Sequence, residues 1–338
     1  VILRRCASLV VIVLGLALCA PPATAAETPA TVCTVTDKRI TELSGLVSDG
    51  RNWYAINDGG TSVQVFVLGR DCVVQRVITN STDPYDVEDL ARSQDGTLWL
   101  SDTGDNDKKR DTVALLAVTP QGKTTLYRLT YPDGAHDAEA LLLDRKGTPY
   151  LVTKNPFGDS GVYRPSGELR SPGPTPLERV GSLRFKTTDT PGGPVGGFGS
   201  VLVTGGATSA DGTVIALRTY TDAYLYPAPD GDVAAALGRD PVRIPLADEQ
   251  QGEAIAFEQD GTLLSGGEGT GRPIRAVKGA TALVTPATTD AAPGAGGQAT
   301  GSETDSGGME ALPGLLFALC VAGGAAFAWT KLRARRRG

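Results

Sequence analysis

Four times along the chain a glutamate stands seven residues before an Asp-Gly or Lys-Gly pair: Glu42 before Asp49-Gly50, Glu88 before Asp95-Gly96, Glu139 before Lys146-Gly147, and Glu253 before Asp260-Gly261. A fifth copy, before Asp211-Gly212, has Thr204 at the glutamate position, and the five copies follow one another at intervals of 46, 51, 65 and 49 residues. A period in this range means one supersecondary unit repeated and stacked, because no single unit can bury its own apolar face. Each unit has the same anatomy. A short apolar strand follows the Glu position (Leu43 to Val47, Asp89 to Ala91, Ala140 to Leu143, Ala254 to Phe257), then the Gly turn that favours a hairpin. A second strand comes next: Trp53 to Ile56, Leu98 to Leu100, Tyr150 to Val152, Val214 to Leu217, Leu263-Leu264. Further runs, such as Val63 to Leu68 with Val73 to Ile78 and Val113 to Val118 with Thr124 to Leu129, complete the unit.

Two hairpins per interval make one four-stranded sheet, and a chain of such sheets stacked radially is a β-propeller. The expected fold is therefore all-β, with five visible blades and room for a sixth, degenerate one between Gly158 and Gly199. The strand Thr31 to Thr36 precedes the first unit and is expected to close the ring as the outer strand of the last blade. Gly (43 residues) and Pro (22) supply the turns and make long helices scarce.

The innermost strand of each blade lines the channel, so a residue repeated at one point of every unit forms a ring. Glu42, Glu88, Glu139 and Glu253 are expected to converge in this way, with Thr204 in the fifth place. Converging carboxylates repel one another and need an offset. Either the ring accepts hydrogen bonds from the backbone of the next blade, or it holds a cation. Ca²⁺ is the expected ion, since it takes six to eight oxygens. Counting from the turn Gly, the ends of the second strands give a second ring, Asn57-Asp58, Asp102-Thr103, Thr153-Lys154, Arg218-Thr219 and Gly267-Glu268. Here Lys154 and Arg218 either neutralise carboxylates or hold an anionic ligand group. Asp102 to Asp107 carries three Asp and one Asn but fails the EF-hand pattern, because Gly104 stands at a ligand position. His136, the single histidine, lies three residues before Glu139 and is the one side chain with an unperturbed pKa near neutrality. One imidazole excludes multi-His zinc sites. No complete catalytic set is legible, and the catalytic residues are not assigned.

The two ends read differently from the middle. Val1 to Ala26 reads as a signal peptide: Arg4 and Arg5, an apolar run from Leu9 to Ala20, and small residues at Ala23 to Ala25. Residues 281–310, rich in Ala, Gly, Thr and Pro, read as a disordered stalk spanning roughly 30 Å. Ala311 to Thr330 is apolar and long enough to cross a bilayer, and Lys331 to Arg337 places the C-terminus in the cytoplasm. This layout predicts a single-pass membrane protein whose propeller, residues 27–280, lies outside the cell. From Ala26 to Glu310, 25 basic residues stand against 38 acidic ones, so the exported part is strongly acidic under a formal net charge of −6 for the whole chain. Such a surface disfavours nucleic acid. In an oxidising compartment Cys33 and Cys72 form an even pair, and a disulfide between them is expected.

Glu42 to Leu46, Ile56-Asn57-Asp58-Gly59, Asp86-Val87-Glu88-Asp89-Leu90-Ala91, Leu98 to Asn106 and Asp137 to Leu141 resemble secreted, membrane-anchored actinobacterial β-propellers of TolB-like fold. They are similar, more remotely, to phytase-like and gluconolactonase-like propellers, and Glu42 matches the strand-start Glu of those families best. That resemblance implies Ca²⁺ in the channel. The functional expectation is a tethered propeller that binds a small-molecule ligand or a cell-envelope protein at an acidic channel mouth. The alternative is a Ca²⁺-dependent hydrolase of a phosphoester or lactone.

Overall fold

The computed structural model describes residues 28–284, Gly158 excepted. The segments read from the sequence as signal peptide, stalk beyond residue 284, membrane span 311–330 and basic tail lie outside the described residues. Among the described residues no helix is long and apolar enough to cross a membrane.

Twenty strands follow in order. They are β1 (Ala30–Thr34), β2 (Leu43–Ser48), β3 (Trp53–Asn57), β4 (Val63–Leu68), β5 (Val74–Asn80), β6 (Val87–Arg92) and β7 (Leu98–Asp102). Next come β8 (Val113–Val118), β9 (Thr124–Thr130), β10 (Ala138–Leu143), β11 (Pro149–Thr153), β12 (Asp159–Pro165), β13 (Thr175–Arg184) and β14 (Val203–Thr208). The last are β15 (Val214–Thr219), β16 (Asp222–Pro227), β17 (Val242–Pro245), β18 (Gly252–Phe257), β19 (Leu263–Gly267) and β20 (Pro273–Val277). They pair antiparallel as β2-β3-β4-β5, β6-β7-β8-β9, β10-β11-β12-β13, β14-β15-β16-β17 and β18-β19-β20-β1. The second and third sheets also touch at their outer edges through a two-residue parallel pairing of β13 with β9. The first strands β2, β6, β10, β14 and β18 pack on one another in sequence, and β18 packs back on β2. The ring is closed, and the sheets are its five blades.

Five apolar clusters hold it together, one between each pair of neighbouring blades. This follows from the sequence pattern: strands in the middle of a blade are covered on both faces and read as continuous apolar runs, such as Val-Ala-Leu-Leu-Ala-Val in β8, all of it buried. The strand expected to close the ring does so, pairing β1 with β20. The disulfide between Cys33 on β1 and Cys72 in the β4–β5 turn then ties the last blade to the first across a sequence separation of 39.

The long third interval holds no sixth blade. Residues 159–184 supply the outer half of the third blade, and the rest is a connection with one 3-10 segment, Gly196–Val201. Fully buried Asp222 pins that connection by accepting hydrogen bonds from the hydroxyls of Thr188 and Thr190, both at 2.7 Å. A five-residue helix α1 (Val233–Leu237), capped by Asp232, sits between β16 and β17. At the C-terminal end a turn over Ala280–Leu283 packs against the core between the last two blades, so the packed chain runs a few residues past position 280.

Candidate metal centre

All five first strands carry a register irregularity at the same place. The ladder slips between Leu43 and Gly45, Val87 and Asp89, Ala138 and Ala140, Val203 and Gly205, and Gly252 and Ile255. A bulge re-aims the side chain it carries. The residues so placed are Ser44, Glu88, Glu139, Thr204 and Glu253, and they form the true inner ring.

Glu42 is therefore not a member of it. The turn of the first blade reaches its Gly two residues sooner after the strand than the turn of the second: Ser48 pairs with Trp53, whereas Arg92 pairs with Leu98. A two-residue slip keeps the same face of a strand, so hydropathy could not reveal it. In register, Glu42 stands with Asp86 and Asp137, two residues outside the ring. In the fourth blade the turn is one residue longer after Gly212, and Thr219, not Arg218, pairs opposite the start of the strand. A one-residue slip reverses the face. The residues that follow the second strands are thus Asp58, Thr103, Lys154, Tyr220 and Glu268.

Arg218 consequently points into the protein and is fully buried. Its guanidinium donates to the carbonyls of Thr219, Ala254, Gly266 and Tyr220, and to Glu249 Oε2 at 2.9 Å. These five bonds use all five guanidinium N–H groups, which leaves no donor for a ligand. Lys154 remains at the mouth, where its Nζ lies 2.5 Å from Glu139 Oε1 and 2.9 Å from the Tyr220 hydroxyl. Burial works against the Lys154 ammonium. Glu139 beside it, joined by Tyr220, Asp137 and Glu253, outweighs burial and holds its pKa well above the ordinary value.

The carboxylates gather in two buried triads, Asp58–Asp86–Glu88 and Glu88–Asp137–Glu139, each with its ligand oxygens within 4.8 Å of one another. Glu88 belongs to both. Asp86 and Asp137 are not among the ligands expected from the sequence, although the repeated Asp-x-Glu of residues 86–88 and 137–139 is the available signal. Glu253 stands close by. Burial first, then the charges of Glu268 and Glu139, push its carboxyl well above the usual range. Its Oε2 is buried without a hydrogen-bond partner among the described residues. Gly104 completes the cradle: a Cβ there would lie 2.7 Å from Asp86 Oδ2 and closer still to Glu88 Oε1.

Other expected site residues serve as supports. Asn57 accepts from the Glu42 N–H at 3.2 Å, and Asp102 accepts from the N–H groups of Tyr85 and Asp86 at 3.1 and 2.9 Å. The two occupy equivalent register positions and orient equivalent segments. Arg110 pairs with Asp102 at 3.0 Å. Asp105 closes the loop that follows it by accepting from the Lys109 and Arg110 N–H groups at 2.9 and 2.8 Å. Glu268 accepts from the Gln251 amide. His136 lies 2.9 Å from Asp133 and 3.0 Å from the Tyr163 hydroxyl, in a group with Tyr131.

The backbone-stitching role falls to a neighbour of the ring. Asp89, fully buried, accepts from the N–H groups of Leu90 (2.7 Å), Leu141 (2.8 Å) and Gly206 (3.0 Å), in the second, third and fourth blades. The first strand of a blade is an edge strand whose channel-facing N–H groups have no sheet partner; Asp89 supplies one for two of them. Hydroxyls join blades in the same way, Ser44 donating to Glu88 O, Thr103 to Ala138 O and Thr204 to Gly252 O.

No known protein family matches the chain. No curated protein matches it. The solved structures it is similar to are β-propeller proteins. A gluconolactonase from Xanthomonas campestris is 12% identical, with 76% of this chain and 98% of that one covered and a TM-score of 0.40. The PQQ-bound aldose sugar dehydrogenase from Streptomyces coelicolor is 12% identical over 77% and 99%, with a TM-score of 0.41. A virginiamycin B lyase from Staphylococcus aureus, with quinupristin, is 14% identical over 72% and 73%, with a TM-score of 0.37. These likenesses are distant, and the fold rests on the strand order itself.

Proposed function

We propose that the protein is an extracytoplasmic, membrane-tethered propeller that binds a divalent cation, Ca²⁺, at the acidic end of its channel and engages an oxygen-rich ligand or envelope partner there. The observation that carries this reading is Glu88, shared by two triads of buried carboxylates. Carboxylates taken out of water cost several kcal/mol each unless compensated. Lys154 pairs with Glu139, and the Asp105 N–H donates to Asp137 at 2.8 Å. The donor set is all oxygen, without His or Cys, which suits a hard cation. Asp58, Asp86, Glu88, Asp137 and Glu139 would hold the ion, and Glu253 Oε2 supplies a further oxygen close by. Such an ion would present a positive charge to a carbonyl, hydroxyl or phosphoryl oxygen at the mouth. The membrane tether is supported by the apolar and basic C-terminal segments, and export by the N-terminal one.

Calorimetric titration of the purified protein with Ca²⁺ tests the reading. Wild type should bind and gain melting temperature; Glu88→Gln should lose at least tenfold in affinity, because both triads contain it. Gly104→Ala should do the same, since its Cβ enters the cradle and displaces the carboxylates of Glu88 and Asp86. Absence of a calcium-dependent heat or melting shift in wild type would remove the metal. Turnover of phosphoesters or lactones abolished by the same two substitutions would convert the binder into a hydrolase.

A further inference from the structure

The loop between β7 and β8 touches both carboxylate triads within three residues. Gly104 donates its N–H to Asp86 O at 3.1 Å and lies against the Asp86 and Glu88 carboxylates, where a Cβ would intrude. Asp105 donates its N–H to Asp137 Oδ1 at 2.8 Å. Thr103 joins the loop to the third blade: its hydroxyl donates to Ala138 O at 2.6 Å, and its carbonyl accepts from the Ala138 N–H at 3.3 Å. Asp86 belongs to one triad, Asp137 to the other and Glu88 to both. Residues 103–105 therefore set the spacing between the ligands of the second blade and those of the third.

Arg110 holds these residues in place. Its Nη1 donates to Gly104 O at 2.8 Å and its Nη2 to Asp102 Oδ1 at 3.0 Å. Asp102 accepts in turn from the N–H groups of Tyr85 and Asp86. One guanidinium thus fixes Gly104 directly and the Asp86 backbone through Asp102, which a planar fork does well and a point charge on a flexible stem does poorly. Asp105 secures the far end of the same turn, since it accepts from the Lys109 and Arg110 N–H groups. The guanidinium carbon lies 4.6 Å from the centroid of the Tyr85 ring, and the Arg110 side chain is 11% exposed. A charge-assisted bond so shielded from water is worth more than a surface pair.

We propose that Arg110 is a positioning residue of the metal centre: it closes the 103–110 turn onto Asp102 and Gly104, and the closed turn holds the two triads at the spacing the cation needs. This role rests on the reading that the acidic end binds Ca²⁺. Closure and binding are then one equilibrium, because a turn that favours the ion when closed must itself be favoured by the ion, by the same factor. The exposed part of the turn, Asn106 to Lys109, gives a readout. Lys108 and Lys109 are trypsin sites, and local opening of the turn is what delivers them to the protease.

The test is titration of the purified full-length protein with calcium chloride, followed by calorimetry and by limited trypsin digestion with the cuts read by mass spectrometry. Wild type should bind Ca²⁺, and saturation should slow cleavage after Lys108 and Lys109 roughly tenfold, within the usual range of coupling between sites. Arg110→Gln should bind roughly 10- to 100-fold more weakly, the scale seen when a partner behind a metal ligand is removed. With Ca²⁺ saturating for that variant as well, its protection from trypsin should be clearly smaller. Trp53→Phe, which removes the hydrogen bond to Glu258 at the end of the Gly turns, should lower the melting temperature and leave calcium affinity unchanged. Unchanged affinity in Arg110→Gln, an equal loss in Trp53→Phe, or cleavage indifferent to bound Ca²⁺ would overturn the proposal and leave the metal centre standing. Absence of Ca²⁺ binding in wild type would remove the metal centre and this role with it. If Arg110→Gln does not fold, Arg110→Lys, whose ammonium cannot take both positions of the fork, decides by the same readouts.

Discussion

Asp89 shows how much one side chain can carry in a closed ring. Its carboxylate satisfies N–H groups in three blades, and burial pushes its pKa well above the usual carboxylate range even so. Replacing it with Ala would leave the Leu141 and Gly206 N–H groups buried without an acceptor, each costing about 1–3 kcal/mol. Asp89→Ala should therefore lower stability by about 2–6 kcal/mol in denaturant unfolding, and Asp89→Asn, which keeps one oxygen for both donors, by clearly less. Equal losses for the two would show that packing, not the shared oxygen, is what matters there. Nothing local marks this role beyond the place of Asp89 after Glu88, because what it binds lies 52 and 117 positions away in the chain.

At the level of strands and turns, the hairpins were legible and their exact register was not. Turn Gly residues with positive φ, such as Gly96 and Gly147, stand where Asp-Gly and Lys-Gly predicted them. A turn two residues early in the first blade shifted Glu42 out of the ring, and a turn one residue longer in the fourth turned Arg218 inward. A count from the Gly cannot see turn length; only the ladder fixes it. The closing element has its own safeguards. Beside the Cys33–Cys72 bond, Glu258 of the last blade accepts from Trp53 Nε1 at 2.7 Å and the Ser48 hydroxyl at 2.6 Å in the first. Under the loop-entropy account a bridge over 39 residues contributes about 3–5 kcal/mol. Cys33→Ser/Cys72→Ser should lose stability on that scale, and a reducing agent should lower the melting temperature of wild type but not of the variant. A melting temperature indifferent to reduction would assign closure to the strand pairing and Glu258 alone.

For the whole molecule, charge and pH are linked through the buried acids. Glu253 and Asp89 have folded-state pKa values above their unfolded ones, so in that window the native state binds more protons than the unfolded state. Stability without added cation should then fall as pH rises above about 4 toward neutrality. The turn carboxylates Asp49, Asp95, Asp211 and Asp260 are held below their usual range, Asp49 and Asp211 in spite of burial and all four by hydrogen bonds from their turns. They act oppositely, and only as pH falls below about 4. Unfolding measured from pH 4 to 8 should show the decline, and Glu253→Gln should flatten it. A flat profile in wild type would mean that these acids ionise without penalty.

The sequence by itself determined the repeat, the all-β class, the closing strand and the disulfide pair, because these follow from local turn chemistry and from apolar runs with a fixed period. It also determined that acidic residues collect at one end of the channel. Which carboxylates meet, where Arg218 points and how Asp89 joins three blades were decided by the tertiary structure alone. The physical reason is that closing five sheets into a ring fixes the phase of each strand against its neighbours. A shift of one or two residues in that phase costs nothing locally and changes which side chains face the axis.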